Sequence, residues 1–574
     1  MSQVKSAQGG SPTPEAGSAS TIRRRGRRVC LGLIAALAAI AAIAVASGCG
    51  GSGGSSTGSG GSGLEFVATA PPAKGDIDSI TWDLPFGEPT SLNPLTAYNY
   101  SENTVLGNIC EGLLRDNPAG EIEPALASKV EHPTPTTWVY TIRQGVRFWD
   151  GEPLTADDVV YSLQRQIDPN AGSYYYLPFG EQIASVAKTG PEQVTVTTKT
   201  PNYLVNDLMT SGLGTIVEAK YAEEKGEALG TPEGGEMCTG PFKLAKWTPG
   251  NSITLVRNDQ YWDKSLRAKA ARITFEFVTD QNALTNALLS GEIDGVYNAP
   301  VSGIPQLAKA TTGRLTLGPS TESVSLVPTG TPPLEDVRLR KALSMVIDRE
   351  GISNTVYEGA AEPMLSNAAP QLASYSQPIF KAAYEKLNNP EVDIEGAKKL
   401  IEEAGAPSAP LKLLIASGDP SMAQIANTIY SGGQQIGLPI KIEQLPPAQF
   451  SAIYFEPKAR KKYDMVLIPT GEDVYDPMDY YFLAAGPQSV QNFTGYDNAA
   501  VNKELAEGLA SNDPDVRAEA AVEIAAHLHE DLPSIPVVLT PARLFQNNRI
   551  AGTPSRWVNA FYPWAASIGS SGSE

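Results

Sequence analysis

Apolar and polar residues alternate along several short runs of the chain. They are Ser79-Ile80-Thr81-Trp82, Trp138-Val139-Tyr140-Thr141-Ile142, Val194-Thr195-Val196-Thr197 and Ile253-Thr254-Leu255-Val256. A period of two puts successive side chains on opposite faces, so each run predicts a half-buried strand. Elsewhere the spacing lengthens to three and four. Ala397, Leu400, Ile401 and Ala404 fall on one face of a helix over 395–404, and Gly405 stops it. A second helix is predicted over 336–347, behind Pro332 and Pro333. A third spans 512–530, with Asn512 or Asp513 as cap and Pro514 near its first turn. Thr155 with Asp157 and Asp158 reads as another helix start, a hydroxyl cap followed by acids facing the positive helix end. Asp150-Gly151 reads as the turn that closes the strand through Tyr140. No internal repeat is visible. Strands interleaved with helices predict a mixed α/β chain with more than one sheet.

The N-terminal pattern is different in kind. The basic cluster Arg23-Arg24-Arg25-Gly26-Arg27-Arg28 precedes an apolar run over 29–47, and Gly48-Cys49 follows. A positive segment, an apolar segment and small residues make the layout of an export signal. The run is about 19 residues long, close to the ~20 that span a bilayer, so an uncleaved anchor fits the same residues. Its alanine richness and its ending in Ala46-Ser47-Gly48-Cys49 favour a signal with a lipidated cysteine, although Ala46 stands where leucine is commonest. Residues 50–63 are almost entirely Gly, Ser and Thr. A coil of that composition reaches roughly 20 Å, a flexible tether between membrane and body. The arginine pair is compatible with twin-arginine export as well as the general route.

At 574 residues the chain is long enough for two or three domains. Beyond residue 48 it carries 38 basic against 62 acidic residues, a net −24. A body so acidic repels phosphate backbones, which disfavours nucleic acid as a partner. Two of four cysteines lie in the body, Cys110 and Cys238. In an oxidising compartment an even pair suggests one disulfide, the alternative being two separate buried thiols. No close cysteine pair offers a metal site, and the three histidines do not either. In His527-Leu528-His529-Glu530 the two histidines sit 200° apart on a helix, not on the one face that zinc proteases need. No strained serine elbow or phosphate loop appears. No cofactor or catalytic set is expected, so hydrolysis is disfavoured.

Several separated blocks resemble the extracellular solute-binding proteins of the oligopeptide, dipeptide and nickel type. They include Ser91-Leu92-Asn93-Pro94, Ile109-Cys110-Glu111-Gly112-Leu113-Leu114-Arg115, and the long block 140–159 with Phe148-Trp149-Asp150-Gly151 and Leu154-Thr155-Ala156-Asp157-Asp158-Val159. Cys238-Thr239-Gly240-Pro241-Phe242, Arg257-Asn258-Asp259-Gln260-Tyr261-Trp262, Ser290-Gly291-Glu292-Ile293-Asp294, Asp336-Val337-Arg338-Leu339-Arg340-Lys341-Ala342-Leu343 and Leu532-Pro533-Ser534-Ile535-Pro536 follow in order. The likeness covers roughly 76–555.

The resemblance implies an α/β, two-lobed periplasmic-binding-protein-like fold of the class II, or cluster C, type, with a smaller domain inserted in lobe one. The N-terminal layout gives an export signal at 1–48 and the lipidated cysteine with its linker at 49–75, and the resemblance places lobe one at 76–117, 208–320 and 526–574, the insert at 118–207 and lobe two at 321–525. It implies a monomeric substrate-binding lipoprotein, held by its anchor on the extracytoplasmic face of the cell membrane. Such a protein passes a peptide, or another small solute such as a sugar or metal chelate, to ABC permease subunits. The segment 463–477 is similar to the strand and loop whose aspartate accepts a peptide's ammonium in peptide-binding members, and Asp473 aligns with that aspartate. A buried ammonium needs such a paired carboxylate; a loop acid in water is the alternative. Thr470 stands where peptide binders often carry tryptophan. Tyr475 follows in the same loop, and Asp476, before Pro477, reads as a turn residue. Tyr98, Asn99 and Tyr100 lie where the family's lobe one faces the cleft. They are candidates for a ligand wall or for plain surface.

Overall fold

The computed structural model describes residues 65–66 and 71–572, apart from 178, 367–368, 371–372, 388–391 and 557–560. The signal segment, Cys49 and residues 50–63 lie outside the described residues. The segment read as linker, 49–75, nevertheless contains Glu65–Phe66, a short strand that pairs in parallel with Thr316 and Leu317. Lys74 and Gly75 bond to Ser570 as well. The folded body thus takes in the end of the segment assigned to the tether.

Each alternating run is a strand: Ile80–Asp83, Thr137–Ile142, Gln193–Thr198 and Ser252–Arg257. In Thr137–Ile142 every second residue is buried (Trp138, Tyr140 and Ile142), which is the period the residues carry. The Asp150-Gly151 turn forms, with the Glu152 amide donating to Asp150 Oδ1. It does not close that strand, which stops at Ile142. It instead turns the chain inside a separate Arg147–Pro153 bridge. The helices are Ala156–Ile167, Val337–Met345, Ile394–Ala404 and Pro514–Asp531. Asp336 and Asp513 sit just outside them as caps, because their carboxylates accept the orphan amides of the first turn. Thr155 and Asp158 form a reciprocal capping box.

Two large sheets build the lobes. One has eight strands in the order 65–66, 313–318, 542–547, 295–296, 80–83, 272–276, 252–257, 242–248. The other has six, in the order 362–363, 535–539, 323–328, 465–470, 411–416, 440–445. The chain passes between them at 319–322 and again at 540–541. Two adjacent crossings make a hinge, and they are bonded together: the Thr540 amide and hydroxyl both donate to Glu322 (2.8 and 3.0 Å). The second crossing differs from the boundary expected at 526. Ile535–Leu539 pairs with Ser323–Pro328 in the six-stranded sheet, and only Ala542–Asn547 enters the eight-stranded one. The apolar run Ile535-Pro536-Val537-Val538-Leu539 is buried at every position, so its pattern does not say which sheet it joins.

A four-stranded antiparallel sheet (127–134, 137–142, 193–198, 183–190) falls within the segment assigned to the insert. Its core runs on into the helices Pro477–Ala485, Ala499–Ala510 and Pro514–Asp531 through Tyr140, Leu208, Met478, Leu505 and Ile524. The Tyr203 amide donates to the Leu509 carbonyl (2.8 Å), and Phe179 stacks on Phe482. Cys110 and Cys238 form a disulfide, with Cα atoms 4.9 Å apart. It fastens the C-terminal end of helix Tyr100–Ile109 to the loop that feeds strand Phe242–Thr248.

Candidate functional site

The strand Met465–Thr470 ends at the hinge, and the loop that follows projects between the lobes. Thr321, in the first crossing, donates to the Glu472 carbonyl (3.2 Å), tying the loop to the hinge. A cavity of about 290 Å³ opens beside it, toward the small end of the range for enclosed ligand sites. Its walls are aromatic and come from separate segments. Tyr98 lies beside the first lobe's helix, Tyr174 in the insert, and Phe455 in the second lobe. Tyr98 stacks on Tyr174 at 5.6 Å, and Phe455 meets Tyr174 edge-on at 5.7 Å.

The chemistry is concentrated in two adjacent acids, Glu472 and Asp473, which both line the cavity. Glu472 is buried, and its Oε2 has no hydrogen-bond partner. Burial pushes its carboxyl up to about 8, and the charge of Asp473 adds to the rise. Burial likewise raises Asp473 to about 7. Behind them Asp479, fully buried in the first turn of helix Pro477–Ala485, accepts the Asp473 amide (2.8 Å). Burial and the neighbouring Asp473 charge push Asp479 up as well. Three neighbouring carboxyls, of which Glu472 and Asp479 are buried, cannot all ionise cheaply without a cation. Among the described residues that line the cavity there is no Lys, Arg or His. The arrangement therefore suits a guest that brings positive charge.

Of the residues singled out in the sequence, Asp473, Thr470, Tyr98 and Asn99 share this cavity, and so does Tyr100. Thr470 pairs its hydroxyl with that of Ser323 (2.9 Å). Asn99 is not simply a loop residue. Its Oδ1 accepts the Glu102 amide (3.1 Å), while Glu102 accepts the amides of Tyr98 and Asn99. Asn99 is thus the cap of helix Tyr100–Ile109, a role already written in the Asn-x-x-Glu spacing.

Tyr475 does not line the cleft. The Asp476 amide donates back to the Val474 carbonyl (2.8 Å), and this tight turn sends Tyr475 to the other side. There Tyr475 lines a second cavity, with the Arg556 guanidinium 4.1 Å above its ring. Asp476 also exceeds its expected part. It caps helix Pro477–Ala485, but it is buried too, pairs with Arg517 and accepts from the Tyr375 hydroxyl (2.8 Å). The sequence reading passed over Tyr174, Phe455 and Phe493 as wall residues. The run Tyr174-Tyr175-Tyr176 was their one local signal; the others depend on which loops the fold brings together.

Among the described residues no group of three His, Cys, Asp or Glu could hold a metal ion, and no helix is long and apolar enough to cross a membrane. The family model for bacterial extracellular solute-binding proteins, family 5 (middle), matches residues 121–492. The chain is 26% identical over 490 residues to the oligopeptide-binding protein OppA of Bacillus subtilis, covering 81% of this chain and 88% of that one. Two solved structures share the fold at a TM-score of 0.75 each. One is AgaA from A. tumefaciens R10 with agropinic acid, 22% identical, covering 86% of this chain and 99% of that one. The other is DppA from Helicobacter pylori with the peptide STSA, 21% identical, covering 87% and 99%.

Proposed function

We propose that this chain, which belongs to the bacterial extracellular solute-binding proteins of family 5, captures an amine-bearing small solute, most simply a peptide, and hands it to the permease of an ABC importer. The observation that carries this reading is the Glu472–Asp473 pair lining an aromatic cleft in which no Lys, Arg or His is found among the described lining residues. Asp473 receives the ligand's ammonium, and Tyr98, Tyr174 and Phe455 enclose its apolar body. Enclosing the ammonium strengthens its attraction to the carboxylate by excluding water. Two lobes on a double crossing suit a body that closes on its ligand and presents the closed form to a partner. The names of relatives such as the B. subtilis oligopeptide-binding protein support a peptide. Thr470 in place of a tryptophan, and the agropinic acid held by the same fold, support a non-peptide guest as the second reading. In this reading Cys49 carries a lipid that tethers the body outside the cell membrane, and the protein works as a monomer.

Mass spectrometry of solute co-purified with the folded protein identifies the guest, and calorimetry with that solute tests the site. Asp473→Ala should weaken binding by about 30- to 4000-fold, the loss of about 2–5 kcal/mol when an enclosed ammonium loses its partner. Binding within twofold of wild type would make Asp473 a bystander and remove the need for an amine.

A further inference from the structure

Three acids meet at the lobe-two wall of the cleft. Glu472 and Asp473 are neighbours in the loop, and Asp479 stands behind them, accepting the Asp473 amide (2.8 Å). Glu472 and Asp479 are buried, whereas Asp473 is half-buried and faces the cavity. Glu472 Oε2 and Asp479 Oδ1 have no hydrogen-bond partner. An ionised carboxylate has about four acceptor sites to fill and a charge to desolvate. Buried carboxyls with open oxygens, set side by side, are therefore easier to hold protonated than ionised.

Among the described residues, the titratable groups around this trio are chiefly phenols. Tyr174 and Tyr175 come from the insert, Tyr98 and Tyr100 from lobe one, and Tyr454 from lobe two. Tyr480 and Tyr481 come from the helix that carries Asp479. Phenols ordinarily titrate near pH 10, and burial moves Tyr174, Tyr175 and Tyr481 higher still. They stay neutral at any pH where carboxyls change charge. The charged groups around the loop are engaged elsewhere. Glu322 of the hinge accepts from Asn298 and Thr540. Asp476 pairs with Arg517, and Arg556 lies over the Tyr475 ring beyond the turn. The trio thus titrates largely as a unit, with its own members as its main electrostatic neighbours. Burial holds Asp473 up to about 7 and Glu472 up to about 8, and the Asp473 charge adds to the rise of Glu472 and Asp479.

We propose that capture in this cleft is a proton exchange: an ammonium seated against Asp473 expels about one proton from the Glu472–Asp473–Asp479 trio, so that binding tightens as pH rises. The proposal rests on reading Asp473 as the seat of the amine. The ammonium supplies the positive partner that the carboxylate lacks and thereby favours its ionised form. The Asp473 proton passes to solvent water, and the buried Glu472 and Asp479 keep theirs. The direction follows from linkage. At a pH where the empty site holds the proton and the filled site does not, affinity rises with pH, by at most about tenfold per unit. Near pH 7 the empty Asp473 loses its proton unaided, and the dependence fades.

Two measurements on the full chain, unfolded and refolded to strip bound solute, test this. Infrared spectra read protonated carboxyls in the empty protein. At about pH 6 the wild type should show a carboxylic-acid band that Asp473→Asn weakens and that the probe alanyl-phenylalaninamide removes in part. Asp83 and Glu236 are also raised by burial and absorb too, so the differences made by variant and probe assign the band. Calorimetry with the same probe at about pH 6, in two buffers of different ionisation enthalpy, counts the proton. The probe's own amine stays charged there, since such amines titrate near about pH 8. Release of about 0.5–1 proton is expected, with affinity about three- to tenfold weaker at about pH 6 than at about pH 7. A probe that binds with under about 0.2 proton released, or equally well at both pH values, overturns the exchange and leaves Asp473 an amine seat that was already ionised. A band unchanged by Asp473→Asn overturns it too. An N-acetylated probe that binds as well as the free amine, or a free amine that fails to bind up to about 10 mM, removes the seat and the proposal with it.

Discussion

Glu472→Gln should make the ligand-free protein more stable, increasingly so as pH rises. Burial moves the Glu472 carboxyl from its ordinary 4.5 up to about 8. That displacement corresponds to about 5 kcal/mol against the charged form, at ~1.4 kcal/mol per unit. The direction follows from proton linkage. Below about pH 4.5 the group is protonated in both folded and unfolded chains and contributes no penalty. Between there and about pH 8 the folded chain keeps a proton that the unfolded chain has lost, so stability falls by about 1.4 kcal/mol per unit. Above about pH 8 the loss is complete. Glutamine has no such proton. From about pH 5.5 to 7.5 the stability gap between variant and wild type should widen by at most about 3 kcal/mol. Water entering the open cleft and small loop shifts reduce this to an expected 1–2 kcal/mol or so. Asp473 and Asp479 are raised in the same direction, but both proteins contain them, and they cancel to first order. Urea unfolding of stripped protein at three pH values reads the gap directly. A gap that stays constant within about 0.3 kcal/mol would mean that Glu472 is ionised and solvated in the free protein, and the picture of a dry, unfilled acid would be wrong.

Three further outcomes can be checked, two drawn from the structure and the last from the sequence. Asp476→Ala should lose about 3–5 kcal/mol in urea unfolding, because it strands the buried Arg517 guanidinium and removes a helix cap; a change under about 1 kcal/mol would show that Asp207, 3.4 Å from Arg517, takes over the charge. Replacing Cys110 and Cys238 by serine opens a loop of sequence separation 128. The chain-entropy model gives about 5 kcal/mol for such a loop, so denaturation midpoints should fall well below those of the oxidised wild type; equal midpoints would place the bond's effect elsewhere. Cys49→Ala should release the protein into the medium in a fractionation of expressing cells, whereas retention with unchanged processing would rule out the lipid tether.

What could be read from the residues was whatever depends on near neighbours. Alternation at 138–142 and 194–197 gave strands, since the side-chain period of a strand is local. Asp336, Asp513 and Thr155 were legible as helix beginnings because a cap bonds only two or three residues on. The two-lobed class came through a set of separated blocks, and the candidate Asp473 through the further segment 463–477. Distance in sequence hid the rest. Nothing in Ile535-Pro536-Val537-Val538-Leu539 says that it joins the second lobe's sheet, because a strand buried on both faces fits any sheet interior. Nothing near Tyr475 foretells a turn that faces it away from Asp473. The cleft itself is made by Tyr98, Tyr174 and Phe455 arriving from three regions of the chain. Whether an acid there is solvated or buried without a partner is a property of that meeting. Burial depends on which surfaces the fold closes over a side chain, and no local pattern records it.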